Sequence, residues 1–232
     1  QIALNITKGY YSLDDLEPYT PTMLREPLYP FFLSIIYKVF GHHYNIVYIF
    51  QICLFSLTCL FTYIISKSIF DYKVATLSGI LISIFPTLAN YPSYILTETL
   101  FSFLLILSIF LLLKSFKLKK TSIFFYSGIS LGLVSLTKAV GLLFILFVII
   151  SMIISYNKLR KNFFLNIFIL IIGFTTIILP WSIRNYKTFD TFQISLRGSG
   201  NLWMAANQLD YSKDQIIQSI VYNFSETIGF KL

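Results

Sequence analysis

The chain has 232 residues, of which 56% are hydrophobic, 18% aromatic and only 12% charged, with a mean hydropathy of +0.74. A water-soluble domain of this length needs more charge to stay dispersed, so the composition excludes one and points to lipid as the main solvent. The net charge of +8 does not mark a nucleic-acid binder, because the basic residues sit in short loops between apolar runs and build no continuous face.

In chain order, the sequence opens at Gln1 without an initiator Met or signal peptide and closes at Leu232 in a polar, amphipathic stretch, as expected of a fragment cut at both ends. Pro27 to Phe40 is apolar but too short to cross a bilayer; it is expected to lie at the interface as a juxtamembrane helix, with Ser34 and Lys38 on its polar edge. His42 and His43 at its end read as interfacial residues, not metal ligands. Six segments then qualify as membrane spans, at about 44–66, 74–90, 92–113, 122–137, 139–156 and 163–181. Pro86 and Pro92 separate the second from the third, and Thr137-Lys138-Ala139-Val140-Gly141 forms a tight turn between the fourth and fifth. Gly128 and Gly132 in the fourth make a G-x-x-x-G, read as close helix packing. Cys53 and Cys59 share the first span and are poorly placed to bridge each other. The expected architecture is all-α: a polytopic transmembrane helical bundle (44–181), preceded by a loop with its juxtamembrane helix (1–43) and followed by a non-membrane segment (182–232).

Charge sets the expected orientation. Lys67, Lys73, Lys114, Lys117, Lys119, Lys120, Lys158, Arg160 and Lys161 fall in three short connections that hold one acid, Asp71. The positive-inside rule makes those connections cytoplasmic. The two long flanking segments and the turns near residues 86–92 and 138–141 are then extracytoplasmic, in what reads as an integral protein of a prokaryotic plasma membrane. Asn5-Ile6-Thr7 and Asn223-Phe224-Ser225 match the short N-glycosylation acceptor pattern.

Polar residues gather on that outer side from distant parts of the chain. They are Arg25-Glu26-Pro27-Leu28-Tyr29-Pro30, then Glu98, Lys138, the stretch Trp181-Ser182-Ile183-Arg184-Asn185-Tyr186, and finally Asn201-Leu202-Trp203 with Asn207. Each has an ordinary reading: Glu98 complements the positive end of its helix, Lys138 snorkels, Arg184 anchors a helix end beside Trp181. Together, three cations (Arg25, Lys138, Arg184) and one carboxylate (Glu98) on one face make a mouth suited to a lipid phosphate, whose oxygens guanidinium groups bind bidentately. Arg25, Tyr29, Glu98, Lys138, Arg184 and Asn185 are therefore the candidate substrate-binding residues. No spacing demands a metal, although a divalent ion near Glu98 is compatible with the residues, and no cofactor is required. A transporter or flippase that binds a lipid-phosphate headgroup is the alternative. It calls for polar residues at mid-depth and an interrupted helix; Gln51 and Thr58 are the main polar groups there, and no mid-helix break is evident.

These same stretches carry a family resemblance. Gly9-Tyr10-Tyr11-Ser12, Arg25 to Pro30, Leu96-Thr97-Glu98-Thr99-Leu100-Phe101, Gly128 to Leu133, Leu136-Thr137-Lys138, and Leu179 to Tyr186 resemble, in order and spacing, the GT-C class membrane glycosyltransferases. Within that class the likeness is to protein O-mannosyltransferases and lipid A aminoarabinose transferases. The resemblance implies transfer of a sugar from a polyprenyl-phosphate donor to an extracytoplasmic acceptor (glycan, lipid or protein) by a single inverting displacement. It also implies a catalytic acid that precedes Gln1, so the catalytic residue is not assigned within this chain. Asp14, Asp15 and Glu17 follow the Gly-Tyr-Tyr-Ser landmark and do not match that acid. Lys138 stands where Arg is more usual, and Glu26 where a second proline is common.

Overall fold

The computed structural model describes residues 1–118, 120–155 and 162–196. Among the described residues its helices are α1 (Ile2–Thr7), α2 (Leu28–Phe40), α3 (Tyr44–Ile69), α4 (Tyr72–Ile84), α5 (Pro86–Asn90), α6 (Glu98–Leu118), α7 (Thr121–Thr137), α8 (Gly141–Ser155) and α9 (Phe163–Phe189), with a 3-10 turn at Tyr91–Ser93. No strand occurs among the described residues, and 1–195 form one compact unit.

The protein is a helical membrane bundle. Helices α3, α6 and α9 are long and apolar enough to cross a bilayer, and less than a third of each apolar stretch is buried inside the protein. Surfaces this apolar, such as Leu77, Ile80, Leu81 and Ile84 of α4 or Leu146, Phe147 and Ile150 of α8, are exposed without cost only to lipid. Six spans are expected; three helices qualify by length, and a fourth if the bent pair α4–α5 is counted as one. At ~1.5 Å per residue α7 reaches only about 26 Å, short of a ~30 Å hydrocarbon core.

The expected second span is also not straight. Helix α4 ends at Ile84 and the chain turns by 54° into α5 and the 3-10 turn, so the span expected to be uninterrupted is a broken one. Pro86 explains the break: it starts α5 at a position that needs no N–H, and it holds Phe85 extended (φ −66°, ψ 114°). The next helix consequently begins at Glu98, not near Pro92. Helix α9 runs on to Phe189, through Pro180 and past the expected exit at Trp181, and stops where Asp190 turns left-handed (φ 55°).

Helix α7 is the centre of the bundle and packs on α9, α6, α8 and α2; α3 packs on α4 and α6. Two glycines bring α7 and α9 together. A Cβ on Gly128 would lie 2.1 Å from the Leu170 carbonyl oxygen, and one on Gly173 2.2 Å from that of Phe125. On the other side of α7, Ser108 and Ser130 hydroxyls meet at 2.8 Å and Ser127 donates to the Ser108 carbonyl, so α6 is held by buried serines as well as by contact. Helix α2 lays Tyr29, Leu33, Ile36 and Tyr37 inward; Ser34 is on this buried face, donating to the Phe31 carbonyl, and does not form a polar edge with exposed Lys38. At the opposite end from Glu98, Asp71 caps α4 by accepting from the Val74 N–H at 2.8 Å. Of the basic connections, Lys119, Lys158, Arg160 and Lys161 lie outside the described residues, as do Asn201 to Asn207 and Asn223.

Candidate functional site

The α6 N-terminus, the α7–α8 turn, the α9 C-terminal turns and the chain before α2 meet at one end of the bundle. Glu98 opens α6, and its Oε1 accepts from Lys138 Nζ at 2.8 Å, joining residues 40 positions apart. Side-chain exposures of 26% and 33% leave both groups within reach of a ligand, and the ammonium also lies 5.5 Å from the Phe101 ring centroid. It is the one ion pair among the described residues.

From Lys138 the contacts continue without a gap. The Ala139 N–H donates to Glu26 Oε1 at 3.3 Å, and the same oxygen accepts from Ser195 Oγ at 3.0 Å. Next to Glu26, the Arg25 carbonyl accepts from the Tyr11 hydroxyl at 2.9 Å. Burial pushes the Tyr11 phenol far above its ordinary pKa, with the Glu26 carboxylate acting in the same direction, so it remains a donor. The guanidinium of Arg184 stacks on Tyr11, Trp181 and Phe189, at 5.4, 4.8 and 5.2 Å from their ring centroids. Its Nη1 donates to the Thr22 carbonyl at 2.9 Å and to Asn185 Oδ1 at 2.8 Å.

The six candidate residues thus fall into different situations. Glu98 and Lys138 are in contact and partly open. Arg25 is half-buried, and its guanidinium has no hydrogen-bond or ion-pair partner among the described residues. Arg184 reaches the same end but is held among aromatic rings, with one nitrogen on protein oxygens. Asn185 is fully buried, its amide donating to the carbonyls of Gln193 and Ile194 at 2.7 and 3.1 Å; it fixes the chain after α9. Tyr29 is buried too, and its hydroxyl donates to Gln51 Oε1 at 2.8 Å, facing the core.

Gln51 has a part that its sequence position does not reveal. Fully buried in α3, it donates to the carbonyls of Pro92 and Tyr94 at 3.0 and 2.8 Å. It thereby satisfies the irregular backbone between the 3-10 turn and α6, which lipid could not do, and so sets where Glu98 begins its helix. Beside that segment, α3, α4, α5 and α6 enclose a cavity of about 190 Å³ lined by Phe55, Thr58, Leu88, Tyr91, Thr99 and Ile106 among others. Thr99, adjacent to Glu98, is 3% exposed and its hydroxyl has no hydrogen-bond partner among the described residues.

The acids of the first loop are placed differently. Asp14 accepts from the Thr20 N–H and hydroxyl and from Ser12 Oγ, and these bonds, those of Thr20 first, hold its carboxyl below the usual range. A carboxylate so occupied is a poor base. Asp15 and Glu17 are exposed. Asn5 of the glycosylation pattern is fully buried, its amide donating to the carbonyls of Ser12 and Asp14, and is inaccessible for modification. His42 packs edge-on against Tyr37 and Tyr44.

Fold and site together define an integral membrane bundle with charged groups from four chain segments at one end. Residues 21–183 match the family described as dolichyl-phosphate-mannose-protein mannosyltransferase, and the chain belongs to that family. It is a GT-C class membrane glycosyltransferase, and at that level its donor is lipid-linked. No curated protein and no solved structure matches it.

Proposed function

We propose that the full-length protein transfers a sugar from a polyprenyl-phosphate donor to an extracytoplasmic acceptor hydroxyl, and that Lys138 and Glu98 sit at the donor phosphate. The observation that carries this reading is the 2.8 Å contact between Lys138 Nζ and Glu98 Oε1, half open at the end where Arg25 and Arg184 also lie. An incoming phosphate oxygen takes the place of the carboxylate at the ammonium. The acceptor oxygen then attacks the anomeric carbon while the bond from that carbon to the phosphate oxygen breaks on the opposite face. Configuration inverts, the hydroxyl proton passes to a base, and the phosphate leaves with the bonding electrons. A cation held at the phosphate stabilises this developing charge; the loss of a single oxyanion-hole donor, the same kind of electrostatic stabilisation, costs about 10²–10³ in rate. The apolar cavity beside Thr99 suits the first units of the lipid tail.

The test is sugar transfer by the purified full-length protein in lipid nanodiscs, with dolichyl-phosphate-mannose as the first donor because of the family match. Lys138→Met, Glu98→Gln and Arg184→Ala are each expected to lower transfer while leaving membrane insertion intact. Unchanged rates in all three would refute the assignment. The broken span at Phe85 is the feature a transporter would have; movement of lipid phosphate across the bilayer without transfer would favour that function instead.

A further inference from the structure

Glu26 has no part in the reaction above, yet its carboxylate joins three segments far apart in the chain. Ala139 and Ser195, 113 and 169 residues away, both donate to its Oε1. No cation pairs with Glu26 among the described residues, so its role there is that of an acceptor, not half of a salt bridge.

The turn that Glu26 holds is the one that carries Lys138. Lys138 leaves α7 in an extended conformation (φ −146°, ψ 129°) with its N–H still on the Val134 carbonyl, and the Gly141 N–H closes the turn on the Lys138 carbonyl at 2.8 Å. Gly141 presses against α7 so closely that a Cβ there would lie 2.7 Å from the Ser135 backbone. The Ala139 N–H lies past the last helical bond of α7, and a half-buried N–H needs an acceptor; Glu26 supplies it. Lys138 therefore stands between two fixed points, Gly141 against Ser135 on one side and Ala139 on Glu26 on the other.

We propose that Glu26 is a positioning residue: it holds the α7–α8 turn so that Lys138 Nζ faces the donor phosphate, and it does so by hydrogen-bond geometry, not by charge. The proposal rests on the reading of Lys138 as a phosphate-facing cation. Its test uses the full chain in detergent with farnesyl phosphate as the probe, binding being read from tryptophan fluorescence, alongside amide exchange of residues 138–141. Glu26→Gln keeps an oxygen at the same reach and is expected to bind the probe and protect the turn like the parent. Glu26→Asp keeps the charge but is one methylene short, and is expected to resemble Glu26→Ala, with faster exchange and binding weaker by roughly tenfold, about 1.4 kcal/mol. If Glu26→Gln is as damaged as Glu26→Ala while Glu26→Asp is spared, charge is what matters and the proposal falls. It also falls alone if Lys138→Met weakens binding and Glu26→Ala does not. If Lys138→Met leaves binding unchanged, the phosphate reading fails and takes the proposal with it.

Discussion

Tyr29 and Gln51 are 22 positions apart, and each is costly to bury alone; paired, the hydroxyl and amide satisfy one another and leave the amide nitrogen for two backbone carbonyls. Tyr29→Phe is therefore expected to strand Gln51 Oε1 in the core and lower stability by about 1–3 kcal/mol. Thermal unfolding in detergent reads this, and Gln51→Leu on top of Tyr29→Phe should cost less than the two single losses combined. A raised donor KM at unchanged stability would instead place Tyr29 in the substrate site. Arg184 shows a related limit of residue-level reading. Its place at the end of a span beside Trp181 is visible in the sequence, but the rings and carbonyl that surround it come from Tyr11, Thr22 and Phe189. Such partners cannot be read from spacing, because they belong to other turns and other segments.

Helices were the more legible level, since apolar runs and prolines act locally. The G-x-x-x-G of α7 is read as close packing, and the structure adds its counterpart, Gly173 of α9, which carries no such pattern. Gly128→Ala should force the two helices apart, because its methyl would meet backbone, which cannot rotate away; the expected loss is about 1–3 kcal/mol. Gly79→Ala in α4, where the nearest atom is the Tyr63 Cβ at 3.4 Å, is the control and should be neutral or mildly stabilising, since alanine favours helix. Equal melting temperatures for both variants would remove the packing argument. Span boundaries were less legible. Hydropathy carries α9 only to about 181, whereas its last turns are held by Arg184, Asn185 and the Trp181 Nε1–H bonded to the Ile194 carbonyl.

For the whole molecule, orientation is the property most open to a direct test. Lys67, Lys73, Lys114, Lys117 and Lys120 lie at the end opposite the Glu98–Lys138 pair, and on the positive-inside rule we propose that this end faces the cytoplasm. With Cys53 and Cys59 replaced by alanine, Val140→Cys should react with an impermeant maleimide on intact cells, and Lys73→Cys only after permeabilisation; both side chains are exposed. The reverse pattern would overturn the proposed face. The amino-acid sequence by itself determined that this is a helical membrane protein, where most of its helices run, and which family motifs it carries, because hydrophobicity and proline act over a few neighbouring residues. Tertiary structure alone decided that Lys138 meets Glu98 and that Glu26 ties down the turn between α7 and α8. Those contacts join residues 40 to 169 positions apart, and only the packing of the helices brings them within hydrogen-bond reach.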